Sequence, residues 1–167
     1  KAAKVGGARQ KGAFMNEDMY RENILDHYKK PHHRGKMADA GCSGHAINPF
    51  CGDDITFYLK MEGKRGAEKV DDVSFEGHAC AICTAAASTM TEMVKGKTRE
   101  DVDLLFHRFR DLVMGKAPPD LDALGKLAVF AGLSEFPVRV KCATLPWHTL
   151  EAALDALEVN PLLIAEV

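Results

Sequence analysis

Between residues 55 and 61 the chain alternates without a break. Ile55, Phe57, Leu59 and Met61 fall on one side, Thr56, Tyr58 and Lys60 on the other. Successive side chains of a strand point to opposite faces, so the pattern predicts a half-buried β-strand. Residues 63–66, with a glycine at each end, supply a turn, and residues 70–75 predict a second strand, making a hairpin. A short strand is expected upstream, at residues 44–48, inside a loop that spans residues 32–50.

Elsewhere the apolar period is helical. Tyr20, Ile24 and Tyr28 recur every four residues, with Leu25 beside them, predicting a helix over 17–30 that Pro31 stops. Ile82, Ala86, Met90 and Met93 make the core stripe of a second helix over 80–95, ended by Gly96. Thr98 caps a third, with Glu100 and Asp101 near its positive end. Its apolar face is Val102, Leu105, Phe106, Phe109, Leu112 and Val113. A linker at 115–120, carrying Pro118 and Pro119, leads to a short helix over 121–131. The last helix is expected over 138–157, ended by Asn160-Pro161. Pro146 either bends that helix, by removing the hydrogen bond to the Cys142 carbonyl, or sits in the first turn of a helix that begins at Thr144. Strands come first and helices later, which makes the fold class α+β rather than a wound parallel sheet.

A chain of 167 residues is a prior for one domain, and 46% apolar with 28% charged residues is an ordinary globular balance. Net charge −2 gives no broad footprint for nucleic acid. No stretch approaches the roughly 18 apolar residues of a membrane span. Residues 1–14 stand apart: Lys1, Lys4, Arg9 and Lys11 with no acid, three glycines and no hydrophobic period. They read as a tag, an expression scar or a disordered leader, with Met15 as a native start; a transit-peptide remnant is the alternative. The domain is then 15–160, with a tail at 161–167. Five cysteines, an odd number, and the lack of a secretory h-region favour a metal site or reactive thiol over a disulfide framework, and a cytoplasmic location.

Three segments carry the candidate chemistry. In Asn48-Pro49-Phe50-Cys51-Gly52-Asp53 a thiol and a carboxylate, separated by glycine, can turn to one centre. In Gly77-His78-Ala79-Cys80-Ala81-Ile82-Cys83 a cysteine opens a helix, where the dipole favours thiolate. In Phe136-Pro137-Val138-Arg139-Val140-Lys141-Cys142 a cysteine near a helix start is flanked by two cations. Each follows a loop or turn, so accessible ligands are expected. Cys51, Asp53, Cys80 and Cys142 together offer three sulfurs and one oxygen, a set that suits tetrahedral zinc or a labile cluster. Carboxylate is the poorer ligand for a soft centre, making Asp53 the exchangeable position.

The words N-P-F-C-G-D, F-E-G-H-A-C-A-I-C-T-A-A-A-S and F-P-V-R-V-K-C-A-T-L-P-W-H-T-L resemble, in order, the three motif blocks of the IscU/NifU N-terminal family. Y-R-E-N-I-L-D-H-Y-K-K-P-H-H-R-G, from Tyr20, is similar to that family's first helix, and the resemblance covers about residues 16–156. An extra segment at 115–135, and Lys141 where classical IscU scaffolds carry histidine, resemble the SufU branch. The resemblance implies a three-stranded antiparallel sheet covered by about five helices. It implies zinc held by Cys51, Asp53, Cys80 and Cys142, and a PLP-dependent, SufS-like cysteine desulfurase as partner. A histidine of that enzyme would replace Cys51 as ligand, and Cys51 would then take the persulfide sulfur. Arg139 would hold a local carboxylate or steer the exchange. The chain would be a sulfur carrier rather than a turnover enzyme, serving downstream scaffold or acceptor proteins, with no nucleic acid or membrane partner. The alternative is a scaffold on which a transient [2Fe–2S] or [4Fe–4S] cluster is built and passed on.

Other features have plainer readings. Cys83 stands where the family has serine, so Cys80-x-x-Cys83 is a redox pair, a shared metal contact or simply a buried serine replacement. Cys42, in a glycine-flanked loop, is a free thiol. Asp53 can also cap backbone N–H groups. Of the histidines near the motifs, His45, His78 and His148, only His78 adjoins a ligand segment closely enough to test. Gly96-Lys97-Thr98 mimics the tail of a phosphate loop, but Thr91 stands where its first glycine should be, and no strand precedes it. The cluster of basic residues at 32–36 is a solvated loop or faces an acidic partner.

Overall fold

The alternation at 55–61 becomes the middle strand of the sheet. In this computed structural model, which describes residues 17–159, strand β2 runs Asp53–Glu62, between β1 (Cys42–Asn48) and β3 (Lys69–His78). Both pairings are antiparallel. Ile55, Phe57 and Leu59 are buried, while Thr56, Tyr58 and Lys60 stay partly exposed on the other face. There the Tyr58 hydroxyl donates to Glu76. The readings of residues 1–14, of Asn160-Pro161 and of the tail lie outside the described residues.

The helices are α1 (Glu17–Lys29), α2 (Ala81–Val94), α3 (Arg99–Val113), α4 (Leu121–Leu124) and α5 (Pro137–Val159). The fold is thus α+β, a three-stranded antiparallel sheet with five helices. α2 is the central one. Every residue from Cys83 to Thr91 is buried, because α1 packs on it from one side and α5 from another. α5 in turn lies on β1 and β2. The contact with β1 is so close that a Cβ on Gly44 would sit 2.4 Å from the Thr149 carbonyl oxygen, so only glycine fits there. The expected α3 face is buried at all six positions, and Thr98 caps that helix by accepting the Asp101 N–H. Phe106 and Phe109 meet Trp147 of α5 at ring centroid distances of 5.4 and 5.5 Å, forming the aromatic end of the core.

Three expectations need correction. Along α1, Leu25 and Tyr28 are 40% and 46% exposed, and the inward face is the half-buried Tyr20 with the buried Ile24 and His27. At about 100° per residue, His27 lies within roughly 20° of Tyr20, whereas Tyr28 is about 80° away. The apolar pattern missed it because the buried residue is polar. Cys42 is not in a loop; it opens β1, buried. The helix expected over 121–131 is one α-turn followed by a 3-10 segment, Gly125–Glu135. Gly125, at φ +50°, breaks the α geometry between them. The last helix is borne out: α5 starts at Pro137 and carries Pro146 inside it, so the alternative start at Thr144 is not the one adopted. Pro137 opens the helix, where its missing N–H has no intrahelical bond to make. Thr144 lends a hydroxyl to the Val140 carbonyl at 3.0 Å, one turn upstream.

The free edge of β3 is covered by neighbouring chain. Gly35 donates to the Phe75 carbonyl at 2.8 Å and Phe75 to that of His33 at 3.0 Å. Near the other end Val70 and residues 96–97 exchange two bonds. These contacts block edge-to-edge pairing.

Candidate metal centre

Two chain turns and the first turns of α5 deliver the chemistry to one end of the sheet. β1 ends at Asn48 and β2 starts at Asp53, directly opposite each other in register. The turn between them carries Cys51 and depends on Gly52 at φ +69°, a conformation that costs other residues more. β3 ends at His78, leaving one residue before Cys80, the N-cap of α2. Gly77 allows this end of β3 to close on β2, since a Cβ there would lie 2.0 Å from the Asp54 carbonyl oxygen. Cys142 comes from α5, its sixth residue.

The Cys51 and Cys142 sulfurs and an Asp53 oxygen lie within 4.8 Å of one another. The two sulfurs are 3.0 Å apart. Cys80 stands beside this trio without belonging to so tight a set. Its backbone N–H donates to Asp53 Oδ1 at 2.7 Å, and its sulfur accepts the Cys83 N–H at 3.4 Å. Asp53 therefore does cap a backbone N–H, and it also faces the thiols. Asn48 completes the group. Its side-chain amide reaches Asp53 Oδ2 at 3.4 Å and Cys142 Sγ at 3.7 Å, while its Oδ1 accepts the Phe50 N–H at 3.2 Å.

Burial is uneven. Asp53 and Cys142 are 0% and 2% exposed, so the expectation that every ligand is accessible fails for these two. Cys51 and Cys80 remain partly exposed, and Phe50, next to Cys51, is 81% exposed. Burial also outweighs the influences expected to favour thiolate. It pushes the Cys142 thiol up strongly, helped by the Cys51 and Cys80 sulfurs and by Asp53. It pushes Cys80 up as well, against the Cys83 N–H, which lowers it. The cations meant to assist Cys142 point outward: Arg139 lies over the Phe136 ring at 4.4 Å and Lys141 over Phe50 at 5.2 Å. Among the described residues Arg139 pairs with no carboxylate.

A group of acceptors that oppose each other's ionisation is what a cation would relieve. Thiolate and carboxylate donors crowded this closely fit zinc by donor chemistry.

The other candidates are elsewhere. Cys83 is fully buried; its thiol is pushed up by burial and then by Asp53, Cys80 and Cys51. Cys42 is far along β1, its thiol pushed up to about 12 by burial. All five cysteines are free thiols. His78 is exposed at the end of β3. His45 pairs with Asp54 at 2.7 Å on the outer sheet face, and His148 with Glu151 at 3.6 Å. The Asn48 role was not foreseen, although Asn-Pro before a cysteine turn was a signal. A second polar cluster also went unread. His27 Nδ1 meets Ser88 Oγ at 2.7 Å, and the His32 N–H donates to the same oxygen at 2.7 Å. The His32 ring meets Glu92, which also receives Lys126 at 2.8 Å.

This architecture recurs in known proteins. Residues 19–143 match the family model for the NifU-like N terminal domain. The zinc-dependent sulfurtransferase SufU of Bacillus subtilis is 40% identical over 135 residues, covering 81% of this chain and 88% of that protein. The iron–sulfur cluster assembly scaffold protein IscU of Streptococcus pyogenes is 37% identical, covering 81% and 82%. A crystal structure from Fervidobacterium islandicum, described as an iron–sulfur cluster assembly scaffold for the SUF system, superposes with a TM-score of 0.70. It is 36% identical and covers 80% of this chain and 94% of that one. The chain belongs to the NifU-like N-terminal domain family, in its IscU/SufU group. No helix among the described residues is long and apolar enough to cross a membrane.

Proposed function

We propose that this chain works in iron–sulfur cluster assembly as a zinc-dependent sulfur acceptor, taking persulfide sulfur onto Cys51 from a PLP-dependent, SufS-like cysteine desulfurase. One observation carries the reading: within the tight trio, Cys51 alone is partly exposed, on a turn, while Asp53 and Cys142 are buried. A partner's persulfide can reach Cys51 without unfolding the centre. The name of the Bacillus subtilis relative supports the same reading.

Cys51, Asp53, Cys80 and Cys142 would hold the metal. Bound zinc supplies the positive charge that keeps these sulfurs as thiolates at neutral pH. Asn48 orients the Asp53 carboxylate and the Cys142 sulfur through its amide. Phe50, exposed beside Cys51, gives a partner an apolar anchor, and Lys141 presents charge next to it. The Cys51 thiolate attacks the terminal sulfur of the enzyme persulfide. The enzyme's S–S bond breaks, its cysteine leaves as thiolate, and Cys51 now carries the persulfide. Downstream scaffold or acceptor proteins receive that sulfur in the cytoplasm.

A second reading, a scaffold that builds and passes on a [2Fe–2S] or [4Fe–4S] cluster as cargo, draws on the same thiol-rich donor set and on the names of the scaffold relatives. Two features favour sulfur transfer: Lys141 turned outward over Phe50 before Cys142, and the segment at 115–135, folded as α4 and the 3-10 segment between α3 and α5. The test is the metal and acid-labile sulfide content of protein purified without oxygen. About one zinc per chain and no sulfide is expected. Iron with matching sulfide, and a brown colour absent from Cys51→Ala, would reverse the ranking.

A further inference from the structure

Cys83 has no part in the proposed sulfur transfer, yet it sits one helical turn from Cys80. Cys80, as N-cap, has extended backbone angles (φ −65°, ψ 166°), and its sulfur is turned back over the first turn of α2. There it accepts the N–H of Cys83 itself, at 3.4 Å. Cys83 is 0% exposed. The two thiols therefore share the N-terminal turn of one helix, one partly exposed and one covered.

We infer that Cys80 and Cys83 form a redox-active dithiol which low-molecular-weight disulfides, such as glutathione disulfide, oxidise to a Cys80–Cys83 bond, withdrawing Cys80 from the metal centre. The second half of this inference rests on the zinc reading above; the first half does not.

Burial sets the order of events. An outside disulfide reaches Cys80 first, because Cys83 is fully covered. The Cys80 thiolate attacks one sulfur of RSSR; that S–S bond breaks, RS⁻ leaves, and a mixed disulfide forms on Cys80. The Cys83 sulfur, giving its proton to a departing thiolate, then attacks Cys80 Sγ and expels the second RS⁻. The dithiol loses two electrons and one RSSR gains them to become two RSH; Cys83 supplies one of their protons and solvent the other. Residues i and i+3 at a helix start are neighbours, and the non-helical backbone of Cys80 leaves its sulfur free to turn toward Cys83. Oxidised Cys80 has no thiolate to offer a metal.

The experiment titrates the full-length, metal-loaded protein with glutathione disulfide. Disulfides are mapped by peptide mass spectrometry and released zinc is read with a chromophoric indicator. Cys83→Ser and Cys83→Ala are run beside the parent, after urea unfolding of the reduced proteins identifies which variants keep the fold. The parent is expected to form Cys80–Cys83 and to release metal at oxidant concentrations about tenfold lower than the variants need. A bond that maps to Cys51–Cys142 instead, or release at the same concentration in parent and variants, would overturn the inference. Metal content of the reduced parent is measured first. If it holds none, the zinc reading fails, while the disulfide map still decides whether the dithiol exists.

Discussion

Two polar clusters touch α2, and they differ in one respect. Around Ser88, donors and acceptors of the protein answer each other: His27 and the His32 N–H meet one hydroxyl, and Glu92 receives Lys126. Around Cys51 the groups are nearly all of one kind. Two thiols and a carboxylate crowd within 4.8 Å, Cys80 adjoins them, and Asp53 is met by the Asn48 amide and the Cys80 N–H. A satisfied cluster fixes helix packing; a crowd of acceptors calls for a cation. The comparison separates structure from function on donor chemistry alone.

Substitutions sharpen the contrast. The largest effect is expected from Cys51→Ala: sulfur acceptance from a desulfurase falls to background in a persulfide-trapping assay, with unfolding in urea unchanged because Cys51 is partly exposed. Asn48→Ala comes next. Losing the amide that orients Asp53 and Cys142 should weaken metal binding by about ten- to a hundredfold in a chelator competition. Ser88→Ala belongs to the other cluster. It strands the buried His27 Nδ1 and the His32 N–H, so a loss of about 1–3 kcal/mol in urea unfolding is expected, with metal affinity unchanged. A matching loss of metal affinity would merge the two clusters into one system.

The smallest effect is on pH dependence. Burial lowers the His27 pKa below its ordinary 6.5, opposed by Glu92 and aided by His32 and Lys126. The unfolded chain therefore binds the proton at higher pH than the folded one. Stability from this group is fully present above about pH 6.5 and is lost as pH falls through the lowered folded value. His27→Gln should flatten the stability profile of the parent in that window, measured by urea midpoints at each pH.

Much of this was legible in the residue pattern, where one face of an element is apolar. β2 and the face of α3 were read residue by residue because alternation and helical period report burial directly. The pattern failed where a polar side chain is buried. His27 faces Ser88, so the stripe on α1 was drawn around to Tyr28. It left two readings open at a proline, and the structure takes the continuous one: α5 passes through Pro146 with Thr144 and Thr149 hydroxyls on upstream carbonyls. The motif words identified the four candidate ligand residues. They did not reveal that Cys142 is buried, that Cys80 turns its sulfur toward Cys83, or that Asn48 bridges Asp53 and Cys142. Those depend on how three distant segments meet, and no local period encodes that.

The measurement that bears most directly on the proposed role follows the sulfur. Zinc-loaded protein is incubated with a cysteine desulfurase and cysteine, quenched with an alkylating reagent and mapped by peptide mass spectrometry. One added sulfur on the Cys51 peptide, absent when the desulfurase is omitted, is the expected result. Sulfur found on Cys80 or Cys142 in its place, or on no cysteine while a cluster accumulates, would contradict Cys51 as the acceptor.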